Sequence, residues 1–169
     1  MAQRGGSVQA SVMIDCGISP VIASGGADFV LGFEPVETAR ALPYTSSRTV
    51  VYMNTTPVIP YVVGQRSVLK EAGAVYPDVN ELADHIRAVT PQVLCVDATR
   101  LALQAGSAKT LNMVMLGCLV ESGSLPFTVD AFWSAAAKNM PPRLADMNTK
   151  AFMSGVEAGG TFQLDVEKR

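Results

Sequence analysis

Asp28-Phe29-Val30-Leu31-Gly32-Phe33-Glu34-Pro35-Val36-Glu37-Thr38-Ala39-Arg40-Ala41-Leu42-Pro43 reads as a strand, a turn and a helix in succession. The run from Asp28 to Gly32 is short and almost wholly apolar, which is the pattern of a strand covered on both faces in a parallel sheet. Gly32-Phe33-Glu34-Pro35 turns the chain. Proline at the first helical position, with Glu34 and Glu37 in the opening turn, marks a helix start, and Val36, Ala39 and Leu42 lie along one side before Pro43 ends it. Glu34 has two readings. Its charge stabilises the helix terminus, or it faces a cleft at the strand's carboxyl end, where open α/β sheets bind ligands.

Downstream the alternation repeats. Thr49-Val50-Val51-Tyr52-Met53-Asn54 is the next buried strand, rich in β-branched and aromatic residues. Pro57 and Pro60 then hold an extended apolar connection through Val58, Ile59, Tyr61, Val62 and Val63, which suits an edge strand but not a central one. Asp78-Val79-Asn80-Glu81 resembles a capping box, and Leu82, Ile86 and Val89 recur at i, i+4 and i+7 behind it. Gln92 to Asp97 is a further strand, and Thr99 can cap the helix that follows. Asp97 sits where function gathers in α/β proteins, although capping explains it equally well. Between Ala108 and Ser122 both helix faces are apolar, so the helix is expected to be buried all round. Within it Asn112 needs hydrogen-bond partners, and Gly117 admits a second backbone at close range. Thr128 is expected to cap a helix bearing Val129, Phe132, Trp133 and Ala136, stopped by Pro141-Pro142. A last helix carries Leu144, Met147, Ala151 and Phe152 and is expected to end before Gly155, with the stretch from Glu157 to Arg169 frayed. The expected organisation is one domain over residues 1–155 and a flexible tail over 156–169.

Upstream, Met1-Ala2-Gln3-Arg4-Gly5-Gly6-Ser7 is a polar turn leading into Val8, Ala10, Val12 and Ile14 on one face, with Gln9, Ser11 and Met13 on the other. That period predicts a half-buried strand. The absence of a charged n-region and apolar h-region speaks against a signal or transit peptide.

Composition narrows the class. A chain of 169 residues with 49% hydrophobic content suits one full core. Thirteen basic against fifteen acidic side chains, scattered along the chain, leave a net charge of -2 and no footprint for nucleic acid or an anionic membrane. The three cysteines, Cys16, Cys95 and Cys118, stand far apart among apolar neighbours, as buried thiols of a reducing, cytoplasmic compartment do. No apolar run reaches the roughly 18 residues of a membrane helix. His85, the only histidine, has no second histidine or paired cysteines at ligand spacing, so it reads as an imidazole on a helix surface rather than a metal ligand. There is no G-x-G-x-x-G, phosphate loop or serine–histidine arrangement.

Several stretches in the right order resemble a known family. Met1-Ala2-Gln3-Arg4-Gly5-Gly6-Ser7-Val8, Ala27-Asp28 with Leu31-Gly32-Phe33-Glu34-Pro35, Ala39-Arg40-Ala41-Leu42-Pro43, Val96-Asp97-Ala98-Thr99, Leu125-Pro126, Asn148 and Ala151-Phe152 together resemble the gamma-type domain of 2-oxoacid:ferredoxin oxidoreductases, and within that family the indolepyruvate-type beta subunits. The resemblance implies an α/β, three-layer Rossmann-like domain with a mostly parallel sheet. It also implies an oxidoreductase subunit without a cofactor of its own. Thiamine diphosphate and 4Fe-4S clusters would reside in a companion alpha subunit, and the assembled complex would convert a 2-oxoacid and coenzyme A to an acyl-CoA, carbon dioxide and reduced ferredoxin. Gln3, Arg4, Gly5, Gly6, Ser7 and Glu34 would face the partner or coenzyme A, with Arg4 able to make a planar two-pronged contact to phosphate or carboxylate.

The chain departs from the family pattern at its start. A strand, a glycine-rich G-x-G-G-Q-G turn, a helix and a second strand normally precede Gln-Arg-Gly-Gly, so the sequence reads as N-terminally truncated. Two functional readings follow. The first is the partner-dependent subunit. The second is a free-standing Rossmann-like module that binds a nucleotide or coenzyme A, against which the missing glycine-rich turn counts.

Overall fold

A computed structural model of the chain describes residues 8–14, 21–58 and 76–162. Three strands, β1 (Phe29–Gly32), β2 (Val50–Asn54) and β3 (Gln92–Val96), form a parallel sheet in the order β1-β2-β3. Phe29 pairs with Val50, and Val50 in turn with Gln92. β2 is central and every one of its residues is buried. The helices are α1 (Pro35–Arg40), α2 (Val79–Arg87), α3 (Ala98–Ala105), α4 (Leu111–Glu121), α5 (Val129–Lys138) and α6 (Pro142–Gly160).

Alternation along the strands sends side chains to opposite faces, and each face has its own cover. Val51, Met53 and Val93 pack with Ala83 and Ile86 of α2, and with Val30 and Ala39, on one side. Val50, Tyr52 and Val96 pack with Ala98 and Ala102 of α3, the buried residues of α4, and Ala151 and Phe152 of α6 on the other. The result is the expected three-layer α/β arrangement. α1 and α2, which connect consecutive parallel strands, share one face, and the chain crosses to the other only after β3.

The second layer is built around a close helix crossing. α4 is apolar on all sides, with Met113, Val114, Met115, Gly117, Cys118, Leu119 and Val120 buried. α6 lies against it with almost no room between the backbones. A Cβ on Gly117 would stand 2.2 Å from the Phe152 carbonyl oxygen, and one on Gly155 would stand 2.0 Å from that of Val114. The crossing therefore requires glycine on both helices. Beside it, Phe152 is fully buried and stacked by Phe132 and Trp133 of α5, at centroid distances of 5.4 and 5.0 Å.

The caps follow local chemistry. Asp78 accepts from the amides of Asn80 and Glu81, and Thr128 accepts from that of Ala131, as expected of both. Asp97, rather than Thr99, caps α3 by accepting from the Arg100 amide. The Thr99 hydroxyl instead accepts from the Asn54 amide.

Five expectations change. Residues 8–14 form no strand, and Val8 and Val12 are 76% and 80% exposed, because alternation makes a strand only where a neighbour pairs with it and none of the three described strands does. Val89 lies beyond the end of α2 and is exposed, while Ala83 joins Ile86 in the core. Residues 108–110 form a 3₁₀ turn before α4 begins at Leu111. Asn112 is exposed on the first turn of α4, open to solvent rather than buried. The last helix runs past Gly155 to Gly160, and Val156, Ala158 and Phe162 pack on the core, so the frayed stretch does not begin at Glu157. Gly155 faces a neighbouring helix rather than ending its own. The connection from Ile59 to Val63 lies outside the described residues.

Two buried polar groups show how the interior treats polarity. The Thr90 hydroxyl donates to the Thr49 carbonyl across the sheet's amino end. The Tyr52 hydroxyl, in contrast, is buried beside Ser122 and Cys118 without a hydrogen bond of good geometry, and burial raises its pKa. Removing an unsatisfied buried group removes its desolvation cost with it. Tyr52→Phe is expected to leave stability unchanged or raise it by about 1 kcal/mol, as read from urea unfolding; a loss of that size would show that the hydroxyl has a partner.

Candidate functional site at the carboxyl end of the sheet

In a parallel sheet all carboxyl ends open on one side, and ligands of open α/β folds bind there. Several polar side chains meet at that crest. Asn54, the last residue of β2, is fully buried. Its amide nitrogen donates to the Phe33 carbonyl at 3.0 Å, just beyond β1, and to the Thr99 hydroxyl at 3.0 Å, just beyond β3. Its amide oxygen accepts from the Thr99 backbone N–H at 3.3 Å. One side chain thus ties all three strand ends together. A second connection lies beside it. The Thr56 hydroxyl donates to the Asp97 carboxylate at 3.0 Å, and Arg100 pairs with the same carboxylate at 3.4 Å.

Glu34 stands at the β1 end of the crest. Its carboxylate caps α1 by accepting from the Glu37 amide at 2.9 Å, and its other oxygen accepts from the Tyr76 hydroxyl. Partial burial and the adjoining carboxylate hold the Tyr76 phenol well above its ordinary pKa, so it stays a donor. Glu34 is thus a helix cap at a strand's carboxyl end, with Tyr76 of the segment leading into α2 against it. Phe33 and Val58, which follow β1 and β2, are 45% and 60% exposed. The crest therefore presents apolar side chains outward above a polar layer.

Of the residues singled out from the sequence, Gln3, Arg4, Gly5, Gly6 and Ser7 lie outside the described residues. Asp97 is at the crest, as its position after a strand indicated. His85 is exposed in the last turn of α2, and because α2 runs antiparallel to the strands this places it toward the sheet's opposite end. Asn54 and Thr56 were not singled out from the sequence. The available signal was an amide side chain closing an otherwise apolar buried strand, where asparagine is disfavoured.

The donor set for metals is sparse. Among the described residues no three His, Cys, Asp or Glu side chains gather as a metal site. Cys95 packs on the α2 side of the sheet and Cys118 on the α4 side, both as free thiols. Cys16 lies outside the described residues. Burial pushes the Cys118 thiol up to about 11. A thiol whose folded pKa exceeds its unfolded value keeps its proton longer when folded, so its contribution is fully present below the ordinary pKa and is lost as pH rises toward the folded value. Urea titrations are expected to show stability falling between about pH 9 and 11, with Cys118→Ala flattening that part of the profile. Among the described residues no helix is long and apolar enough to cross a membrane.

Comparison with known proteins adds to this geometry. The family model described as pyruvate ferredoxin/flavodoxin oxidoreductase matches residues 1–158. The indolepyruvate oxidoreductase subunit IorB of Archaeoglobus fulgidus is 36% identical over 155 residues, covering 92% of this chain and 74% of that one. The protein of the same name from Methanothermobacter thermautotrophicus is 36% identical over 158 residues, covering 94% and 78%. That from Pyrococcus horikoshii is 32% identical over 160 residues, covering 94% and 76%.

Proposed function

The chain belongs to the pyruvate ferredoxin/flavodoxin oxidoreductase family, and from that premise we propose that it is the non-cofactor subunit of an indolepyruvate-type 2-oxoacid:ferredoxin oxidoreductase. The observation that carries this reading is the colinear similarity, over more than nine-tenths of the chain, to proteins named as oxidoreductase subunits. Fold alone would not, since the α/β framework hosts many activities.

In this reading the complex oxidatively decarboxylates an arylpyruvate in the presence of coenzyme A. The products are carbon dioxide, an aryl-acetyl-CoA and two electrons delivered to ferredoxin. The thiamine diphosphate and 4Fe-4S clusters belong to the companion alpha subunit. The chain's own contribution is a wall. Its sheet crest, with Phe33 and Val58 exposed, faces the partner, and Gln3, Arg4, Gly5, Gly6, Ser7 and Glu34 are the residues assigned to face the partner or coenzyme A. The complex works in the cytoplasm, a compartment in which thiols such as those of Cys95 and Cys118 stay free.

The test is recovery of the chain from native extract with its companions. A brown partner containing thiamine diphosphate and iron–sulfur clusters is expected to come with it; a chain that emerges alone from gentle extraction contradicts the reading. Within the complex, Arg4→Ala is expected to raise the KM for coenzyme A by about tenfold, the scale of a lost charged contact. Normal assembly and turnover in that variant would remove Arg4 from the coenzyme's path.

A further inference from the structure

The geometry points to Asn54 as the residue that positions this subunit's side of the active site, an inference that rests on the proposed function. Asn54 is fully buried at the end of the central strand, where an apolar residue would fill space without needing hydrogen bonds. An amide there is tolerated only when its donors and acceptor are satisfied. Its hydrogen bonds are spent on three separate loops. The Phe33 carbonyl belongs to the β1–α1 turn, the Thr99 hydroxyl and N–H to the start of α3, and a weaker 3.4 Å contact reaches the Thr56 carbonyl in its own loop.

Those loops carry Phe33, Val58 and Asp97. Phe33 is exposed, while its backbone carbonyl is held from beneath by Asn54. Val58 follows the Thr56-Pro57 pair, whose first member is held both by Asn54 and, through its hydroxyl, by Asp97. Asp97 in turn orients Arg100. Asn54 is fully buried beneath the surface these loops form and acts through them. It fixes the relative height of three loops, and misplacement of such loops by a fraction of a bond length is enough to weaken binding at the surface they form.

The test uses the assembled complex carrying Asn54→Asp or Thr99→Ala in this subunit. The first keeps the size of the side chain but loses its donors, and the second removes an acceptor without touching Asn54. Ile86→Val, in the core on the far side of the sheet, serves as a control for stability loss alone. Expected is an increase of about fivefold or more in the KM for arylpyruvate or coenzyme A with kcat little changed, alongside faster amide exchange in residues 54–56 and 97–100, neither of which the control shows. Unchanged KM in both crest variants, or an equal change in Ile86→Val, overturns the inference while leaving the function intact. A wild-type complex that consumes no arylpyruvate overturns the function, and the inference with it.

Discussion

Gly155→Ala is expected to cost about 3 kcal/mol or more, the upper part of the range for overpacking. The added methyl group would sit 2.0 Å from the Val114 carbonyl oxygen and within 3.0 Å of two further Val114 backbone atoms. Nothing flexible lies in its way, so relief requires moving one helix against the other. Gly117 would meet the Phe152 carbonyl as closely from the opposite side, so the two glycines guard the same crossing. Since domains are stable by only about 5–15 kcal/mol, a large part of the stability depends on two missing side chains. Urea unfolding measures the effect. A loss below about 1 kcal/mol would mean that the helices are farther apart than described.

Phe152→Ala is the second large effect, expected at about 3–5 kcal/mol. The ring is fully buried in the α4–α6 layer and stacked against Phe132 and Trp133. Its loss would empty the space that anchors α5, a helix with no fully buried residue of its own. The Trp133 fluorescence is therefore expected to shift toward that of exposed indole before global unfolding begins. A variant with unaltered fluorescence and a loss near 1 kcal/mol would show that α5 is held by other contacts.

The sequence made the framework legible where pattern and packing agree. The run from Asp28 to Pro43 announced β1, the turn and α1 because proline, acidic residues and apolar periodicity all favour the same structure. β2 and β3 were readable for the same reason. The alternation of Val8, Ala10, Val12 and Ile14 misled because period alone does not supply a neighbouring strand. Gly155 misled in the opposite direction. Glycine near a helix end reads as a stop, and only the approach of α4 reveals why it is needed inside. At the crest, Glu34 and Asp97 were legible from their places after strands. Asn54 was not, since its significance lies in partners 21 and 45 residues away along the chain. Such convergence is a property of the sheet order, which no local window contains.

Reconstituted turnover checks the proposed dependence of this chain on a companion that holds the cofactors. The companion subunit, loaded with thiamine diphosphate and its clusters, is supplied with indolepyruvate, coenzyme A and oxidised ferredoxin, and ferredoxin reduction is followed with and without this chain. Little reduction by the companion alone is expected, with reduction that rises with added chain until the two are stoichiometric. Full activity of the companion without the chain, or none with it, would overturn the proposed function.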